Sequence, residues 1–145
     1  MLHAERPPSE LADFTGFLLN WLGTRARRNF VSALEPLGFH PREYGVMHVV
    51  GARPGITQEE LAAESNVDRT SIVSLLDQLE ARGVAERRVH PKDRRKRCIF
   101  LTEEGERTLE KLRGVAVAAS DELFAPLTER EREQLATLLR KLAGI

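Results

Sequence analysis

Residues 64–105 read ESNVDRTSIVSLLDQLEARGVAERRVHPKDRRKRCIFLTEEG. Asp68 stands where a helix cap belongs, and Ile72, Leu76 and Leu79 follow at i, i+4 and i+7, the spacing of one buried helical face. Gly83 closes that helix, because glycine takes the left-handed backbone of a helix end without a Cβ clash. The spacing therefore predicts a helix from Arg69 to about Ala81. Val84–Val89 and Arg97–Leu101 read as two short strands joined through His90-Pro91-Lys92-Asp93. Thr102, followed by Glu103 and Glu104, opens the next helix, with the acids in the turn where the helix dipole favours them.

Upstream, Thr57-Gln58-Glu59-Glu60 has capping-box spacing and predicts a short helix from Gln58 to about Glu64. Ser65-Asn66-Val67 is the tight turn between the two helices. The order is thus helix, turn, helix, basic hairpin. Ser9 is the expected cap of a first helix running to about Leu34, with Leu11, Phe14, Leu18, Trp21 and Leu22 on its apolar stripe. Pro36 and Gly38 end it. Pro41 suits the first turn of a second helix, which Ala52-Arg53-Pro54-Gly55 stops. The helix after Thr102 is expected to reach about Phe124, before Pro126. A second capping box at Thr128 and Glu131 precedes a last helix carrying Leu135, Leu138, Leu139 and Leu142. Residues 1–8, with Pro7 and Pro8, read as a loose arm. The expected fold is mainly α with a small β-hairpin wing. It is one domain over residues 1–145, with a winged helix-turn-helix lobe over about 35–101. Helices over about 9–34 and 102–145 flank the lobe.

Apolar residues make up 41% and charged residues 30%, the balance of a soluble globular chain. No apolar stretch approaches the roughly 20 residues of a membrane span, and the first ten residues have no signal-peptide core. With Cys98 as the single cysteine, no intrachain disulfide can form. These features predict a cytoplasmic protein with no membrane partner. The formal net charge is zero, yet eight basic residues stand against two acidic ones between Arg82 and Arg97. A locally basic, globally neutral chain suits a protein that turns one face toward phosphates.

The helix after Asp68 has a second face. Ser71, Ser74 and Gln78 fall at i, i+3 and i+7, a polar, short-chained set nearly free of charge. Such a face suits the DNA major groove, where small hydroxyl residues let the backbone approach and glutamine can bond adenine edges. Arg69 and Thr70 at the N-terminal end would meet bases or phosphates. An ordinary solvent face would carry Lys and Glu instead. On the hairpin, Arg87 and Arg88 lie on the first strand and Arg94 and Arg95 at the tip. A tip arginine can enter a narrow minor groove, and Asp93 is spaced to hold the Arg95 guanidinium.

The quoted segment resembles the core of the MarR family of winged-helix regulators. Leu79-Glu80 and Gly83 at the end of the recognition helix carry the resemblance. So do Asp93-Arg94-Arg95 in the wing and Leu101-Thr102-Glu103-Glu104-Gly105 at the start of the next helix. The flanking helices follow the family's order, so the resemblance spans nearly the whole chain. It implies a transcriptional regulator, a ligand-responsive repressor. It also implies a homodimer whose first and last two helices intertwine with the partner's, with two winged lobes straddling a pseudo-palindromic DNA site. The apolar stripes at both ends of the chain, broader than one lobe can cover, agree with dimerisation. Carried over by position, Asp93 orients Arg95 and Arg95 enters the minor groove. The expected DNA-binding set is Asp68, Arg69, Thr70, Ser71, Ser74, Gln78, Arg88, Asp93, Arg94 and Arg95. Relatives often bind small aromatic or phenolic acids in a cleft beside the dimer helices. Trp21, His40, Tyr44 and His48 are candidates to line such a cleft, and Arg25 to meet a carboxylate. The plainer reading makes Trp21 and Tyr44 core residues.

Other functions need features that are thin here. The histidines His3, His40, His48 and His90 are scattered, and the eight-residue gap from His40 to His48 does not match a helical zinc pair. No catalytic residue, metal or cofactor is expected. A redox-sensing regulator would have to use Cys98, whose basic neighbours favour the thiolate but whose strand position suits a small packed residue. A winged helix that binds proteins instead of DNA would tolerate acids where Arg88, Arg94 and Arg95 stand.

Overall fold

The computed structural model describes residues 6–145. The arm expected over residues 1–8 falls mainly outside them, as does His3. Helix α1 spans Thr15–Leu34, α2 Pro41–Ala52, α3 Gln58–Glu64, α4 Arg69–Ala81, α5 Glu103–Phe124 and α6 Glu129–Ala143. Strands β1, β2 and β3 span Ile56–Thr57, Ala85–His90 and Asp93–Leu101. The fold is a mainly helical winged helix-turn-helix. Leu34–Val115 form one compact unit, and the segments before and after them form the other.

The helix starts follow from side chains that satisfy free backbone donors. Thr57 Oγ1 accepts from the Glu60 amide at 3.2 Å while the Glu60 carboxylate accepts from the Thr57 amide at 3.0 Å. Thr128 and Glu131 repeat this reciprocal pair at 3.3 and 2.7 Å. Each bond removes an orphan donor from a first turn. The α1 boundary differs from the expected one. Ser9 caps nothing; it begins a single 3₁₀ turn, Ser9–Leu11, entered from the extended backbone of Pro8. The amides of Leu11, Ala12 and Phe14 bond three residues back, so the α ladder begins only where the Leu18 amide reaches Phe14 O at 3.0 Å.

Two expectations about the sheet also change. The hairpin turn is Pro91–Lys92 alone, because His90 already pairs with Asp93. Arg94, Arg95 and Lys96 are therefore strand residues. A third strand, β1, pairs antiparallel with β3 at Ile56–Ile99 and Thr57–Cys98, giving the order β1-β3-β2. Gly55, at φ 85°, turns the chain into β1 and donates its amide to Ile99 O at 2.9 Å.

In the Leu34–Val115 unit, Leu34, Met47, Leu61, Leu76, Ile99 and Leu112 are wholly buried. Helix α4 contributes Ile72, Leu75, Leu76 and Leu79 to this core and ends in a Schellman motif. In that motif the Val84 amide reaches Leu79 O at 3.1 Å and the Gly83 amide reaches Glu80 O at 2.9 Å. The start of α5 is fastened to the same place. Thr102 Oγ1 donates to Gly83 O at 2.6 Å and accepts from the Gly105 amide at 3.0 Å. Gly105 lies so close to β2 that a Cβ there would stand 1.9 Å from Val84 O. The end of α4, the root of the wing and the start of α5 thus meet at one junction that admits no side chain.

The other unit holds most of α1, the end of α5, and α6. None of its described side chains is fully buried; every buried apolar residue lies between Leu34 and Leu112. Phe14, Leu19, Val117, Leu138 and Leu142 are all more than half exposed. Ala26 and Phe30 face Ala119 and Leu123 across an open apolar groove of about 390 Å³. Arg132 ties α6 to Asp121 of α5 at 3.0 Å.

The junction makes opposite predictions for two glycines of α5. Gly105→Ala drives a methyl into a backbone carbonyl and should cost about 1–3 kcal/mol or more. Gly114→Ala meets no atom within 4 Å and should leave stability unchanged or raise it by about 0.5–1 kcal/mol. Urea unfolding at one fixed protein concentration measures both.

Candidate nucleic-acid interface

The exposed face of α4 is prepared by its cap. The Asp68 carboxylate accepts from the Ser71 amide at 2.9 Å and from the Ser71 hydroxyl at 2.6 Å. The Ser71 hydroxyl first, and then the backbone donors, hold the Asp68 carboxyl below its usual range. The Ser71 proton is therefore committed to the cap, and only the oxygen's acceptor capacity is left for a ligand. Thr70, Ser74 and Gln78 are exposed and make no side-chain hydrogen bond among the described residues. Arg69 is exposed and pairs with Glu59 of α3 at 2.9 Å. On one flank of this face, His40, Arg42 and Glu43 at the start of α2 join Thr70, Ser74 and Gln78 around a groove of about 380 Å³.

The face is less free of charge than the residue spacing implies, because Asp77 stands on it. Arg87 of β2 neutralises that acid. Its guanidinium contacts Asp77 and also donates to Glu80 at 2.6 Å, while its amide donates to Glu80 at 2.8 Å. The bond to Arg87 holds the Glu80 carboxyl below its usual range, and the bond to Glu80 raises the Arg87 guanidinium. Arg87 is thus an internal strut between wing and helix.

The other wing residues point outward to different degrees. Arg88 contacts Glu86 and stacks over the Phe100 ring, 4.2 Å from its centroid. Asp93 Oδ1 accepts from the Arg95 amide at 3.0 Å and from Arg95 Nε at 3.3 Å. These bonds, the backbone one first, hold the Asp93 carboxyl below its usual range. The Arg95 side chain is 91% exposed, so it is oriented at its base and free at its tip. Arg94 is exposed with no ion pair among the described residues. Arg97 turns back, donating to Arg94 O at 2.9 Å and to Lys96 O at 3.2 Å. Between wing and helix runs a second groove, of about 310 Å³, walled by Gln58 and Glu59, by Arg69 and Val73, and by Arg95 and Lys96. Residue spacing alone does not single out Val73 or Arg42. A β-branched residue off the core stripe is the available signal for the first, and the turn after Pro41 for the second.

The residues expected to meet a small molecule fall in both units. Trp21 and Arg25 are together on α1, with the guanidinium 5.7 Å from the ring centroid. The Tyr44 and His48 rings are 5.8 Å apart on α2. His40 caps α2, since its Nδ1 accepts from the Arg42 amide at 3.3 Å and Glu43 accepts from the His40 amide at 2.8 Å. Cys98 is a buried free thiol in β3. No helix among the described residues is long and apolar enough to cross a membrane.

Comparison with known proteins agrees with this geometry. The MarR family model matches residues 37–96. A Thauera aromatica protein, provisionally named as the transcriptional regulatory protein for the hcr operon, is 32% identical over 97% of this chain and 90% of its own length. The transcriptional repressor CouR, solved on a 23-mer DNA duplex, superposes with a TM-score of 0.82 at 29% identity, over 97% of this chain and 99% of that one. CouR from Rhodococcus jostii RHA1 bound to p-coumaroyl-CoA gives 0.76 at 32% identity, over 94% and 96% of the two chains. Sequence, fold and relatives agree: the chain belongs to the MarR family of winged helix-turn-helix transcriptional regulators.

Proposed function

We propose that the protein is a ligand-responsive repressor that binds a pseudo-palindromic DNA site as a homodimer. In this reading α4 lies in the major groove and the β2–β3 hairpin reaches the adjacent minor groove. The observation that carries it is the pairing of an uncommitted polar face, Thr70, Ser74 and Gln78, with a wing arginine, Arg95, that Asp93 orients. Gln78 presents a donor and an acceptor to base edges, the small neighbours admit the helix backbone, and Arg95 offers a cation to the minor groove. Arg69, Arg88 and Arg94 serve phosphates, which position the protein without reading sequence. Asp68 and Ser71 act by fixing the first turn of α4. No catalytic step is assigned, and the protein works in the cytoplasm beside its DNA.

The homodimer is supported by the terminal unit, which has no fully buried side chain of its own among the described residues and exposes Phe14, Leu19, Leu138 and Leu142. Apolar surface of that extent finds cover in a second copy. The ligand part of the reading rests on the aromatic and cationic pairs Trp21–Arg25 and Tyr44–His48, which suit a small aromatic or phenolic acid. A DNA-free and a DNA-bound state then differ in ligand affinity, and the two ligands oppose each other by linkage.

Sedimentation at micromolar concentration should give a dimer, and a stable folded monomer contradicts the reading. Two lobes should engage half-sites on the order of 34 Å apart. With roughly six to ten phosphate contacts, affinity should fall roughly 10³–10⁵-fold between 50 and 200 mM salt. A flat salt response argues against the interface.

The helix and the wing should fail in different ways. Arg95→Ala should weaken binding to cognate and random duplexes alike, with discrimination lost mainly at A·T-rich flanks. Asp93→Ala should be a milder version, since it frees the arginine without removing its charge. Gln78→Ala should cost about 1–3 kcal/mol on the cognate site and little on random DNA. Fluorescence anisotropy on both duplexes at two salt concentrations separates these outcomes, with circular dichroism as the folding control. Unchanged binding by Arg95→Ala would remove the wing from the interface.

A further inference from the structure

The exposed surface of α4 carries one large apolar side chain. Val73 is 38% exposed, with Thr70 one turn before it and Asp77 one turn after it on the helix. It forms part of the wall of the groove between α4 and β3, with Arg69, Arg95 and Lys96 around it. Local forces do not favour valine at this position. A β-branched residue loses rotamer freedom in a helix, and lysine, glutamate or alanine propagates a solvent-facing turn better. Nor does the core need it, since Ile72, Leu75, Leu76 and Leu79 fill the buried side of α4.

The surrounding charge selects what can cover the valine. The groove's other wall residues include Arg69, Arg95, Lys96 and Arg97, against Glu59 as the one acid, and Glu59 is already paired with Arg69. An apolar spot rimmed by cations does not fit an apolar protein face, which would bury those charges without partners. It fits a polyanion that carries an apolar group. In the major groove of duplex DNA that group is the 5-methyl of thymine. We infer that Val73 is a specificity-determining residue that packs on a thymine methyl at a fixed position of each half-site, while the neighbouring cations engage the flanking phosphates. The inference rests on the DNA-binding reading above and adds a base preference that Ser74 and Gln78 do not supply.

The test uses the full-length protein and a site selected from a random duplex pool. Each thymine is replaced singly by deoxyuridine, which removes the methyl and leaves every hydrogen-bonding group in place. At one thymine per half-site the exchange should weaken binding by the parent protein about fourfold, the worth of one buried methyl group. Val73→Ala, which removes the contact from both half-sites of the dimer, should lose about that factor at each, about sixteenfold in all, on the thymine duplex, and respond to the exchange at that position not at all. Val73→Thr keeps the branched shape and one methyl, and should retain part of the response. If the parent binds its selected site but no deoxyuridine exchange is relieved by Val73→Ala, the inference is overturned while the DNA reading stands. If the parent selects no duplex at all, both fall together.

Discussion

Arg87 couples the two parts of the interface. It leaves β2 at the base of the wing and reaches Asp77 and Glu80, one helical turn apart on the outer side of α4. Its side chain is 22% exposed and that of Glu80 32%, so this pair meets where water screens it less than on the open surface, whereas Asp77 is 57% exposed. The backbone joins in, since the Arg87 amide shares Glu80 with the guanidinium. Without this cation two carboxylates would face each other beside the proposed DNA-binding face, and the hairpin would lose its main polar link to α4. The Gly105 junction does the complementary work at the root of the wing, where Thr102 and Val84 join strand, helix end and α5 through contacts with the backbone. The wing is thus tied to the rest of its unit at both its root and its flank. The proposed two-groove recognition would need such an arrangement, because each misplaced contact forfeits its contribution.

The same coupling changes what the basic segment means. The run from Arg82 to Arg97 looks like a continuous patch for a polyanion, but several of its cations work inside the fold. Arg82 donates to Gly38 O at 2.6 Å and covers the Phe39 ring, 3.7 Å from its centroid, joining the end of α4 to the connection before α2. Arg87 is the strut, and Arg97 bonds the backbone of its own strand. Arg88, Lys92, Arg94, Arg95 and Lys96 are the exposed remainder, the last four concentrated at the far end of the hairpin. A small set of outward charges on a rigid arm suits a neutral protein that must find DNA without binding every acidic surface.

How much of this is legible in the residues depends on the range of the interaction concerned. Capping is local. Thr57 with Glu60, Asp68 with Ser71 and Thr128 with Glu131 lie three residues apart, so the starts of α3, α4 and α6 can be read directly. The left-handed Gly83 marks the end of α4 for the same reason. Strand β1 cannot be read, because two residues have no period and Ile56–Thr57 become a strand only by pairing with Ile99 and Cys98, more than forty positions later. The start of β3 is hidden by its own composition. Arg94, Arg95 and Lys96 carry the charge of a loop, and the His90–Asp93 pairing that makes them a strand leaves no mark in hydropathy. Arg87 looks like a wing contact because its partners, Asp77 and Glu80, lie on a different element.

The terminal helices show where a single chain stops being enough information. Their sequences give a clear stripe, and the structure gives clear helices, yet no described residue of that unit is fully buried. In the Leu34–Val115 unit the spacing of Ile72, Leu76 and Leu79 identifies the buried side of α4, while Leu75 beside them and Leu61 of α3 are recognised as core only in the folded unit. A stripe says only that a helix has an apolar side. It does not say whether the surface that covers it comes from the same chain. The distinction lies in how much apolar surface is left over once the chain has folded, a property of the assembled unit and not of any one helix. Here Phe14, Leu138 and Leu142 remain exposed, and the same unit holds an open apolar groove. A folded monomer would have to leave that surface in water, so the proposed homodimer draws its support from what the single chain leaves uncovered and not from the stripe of any one helix.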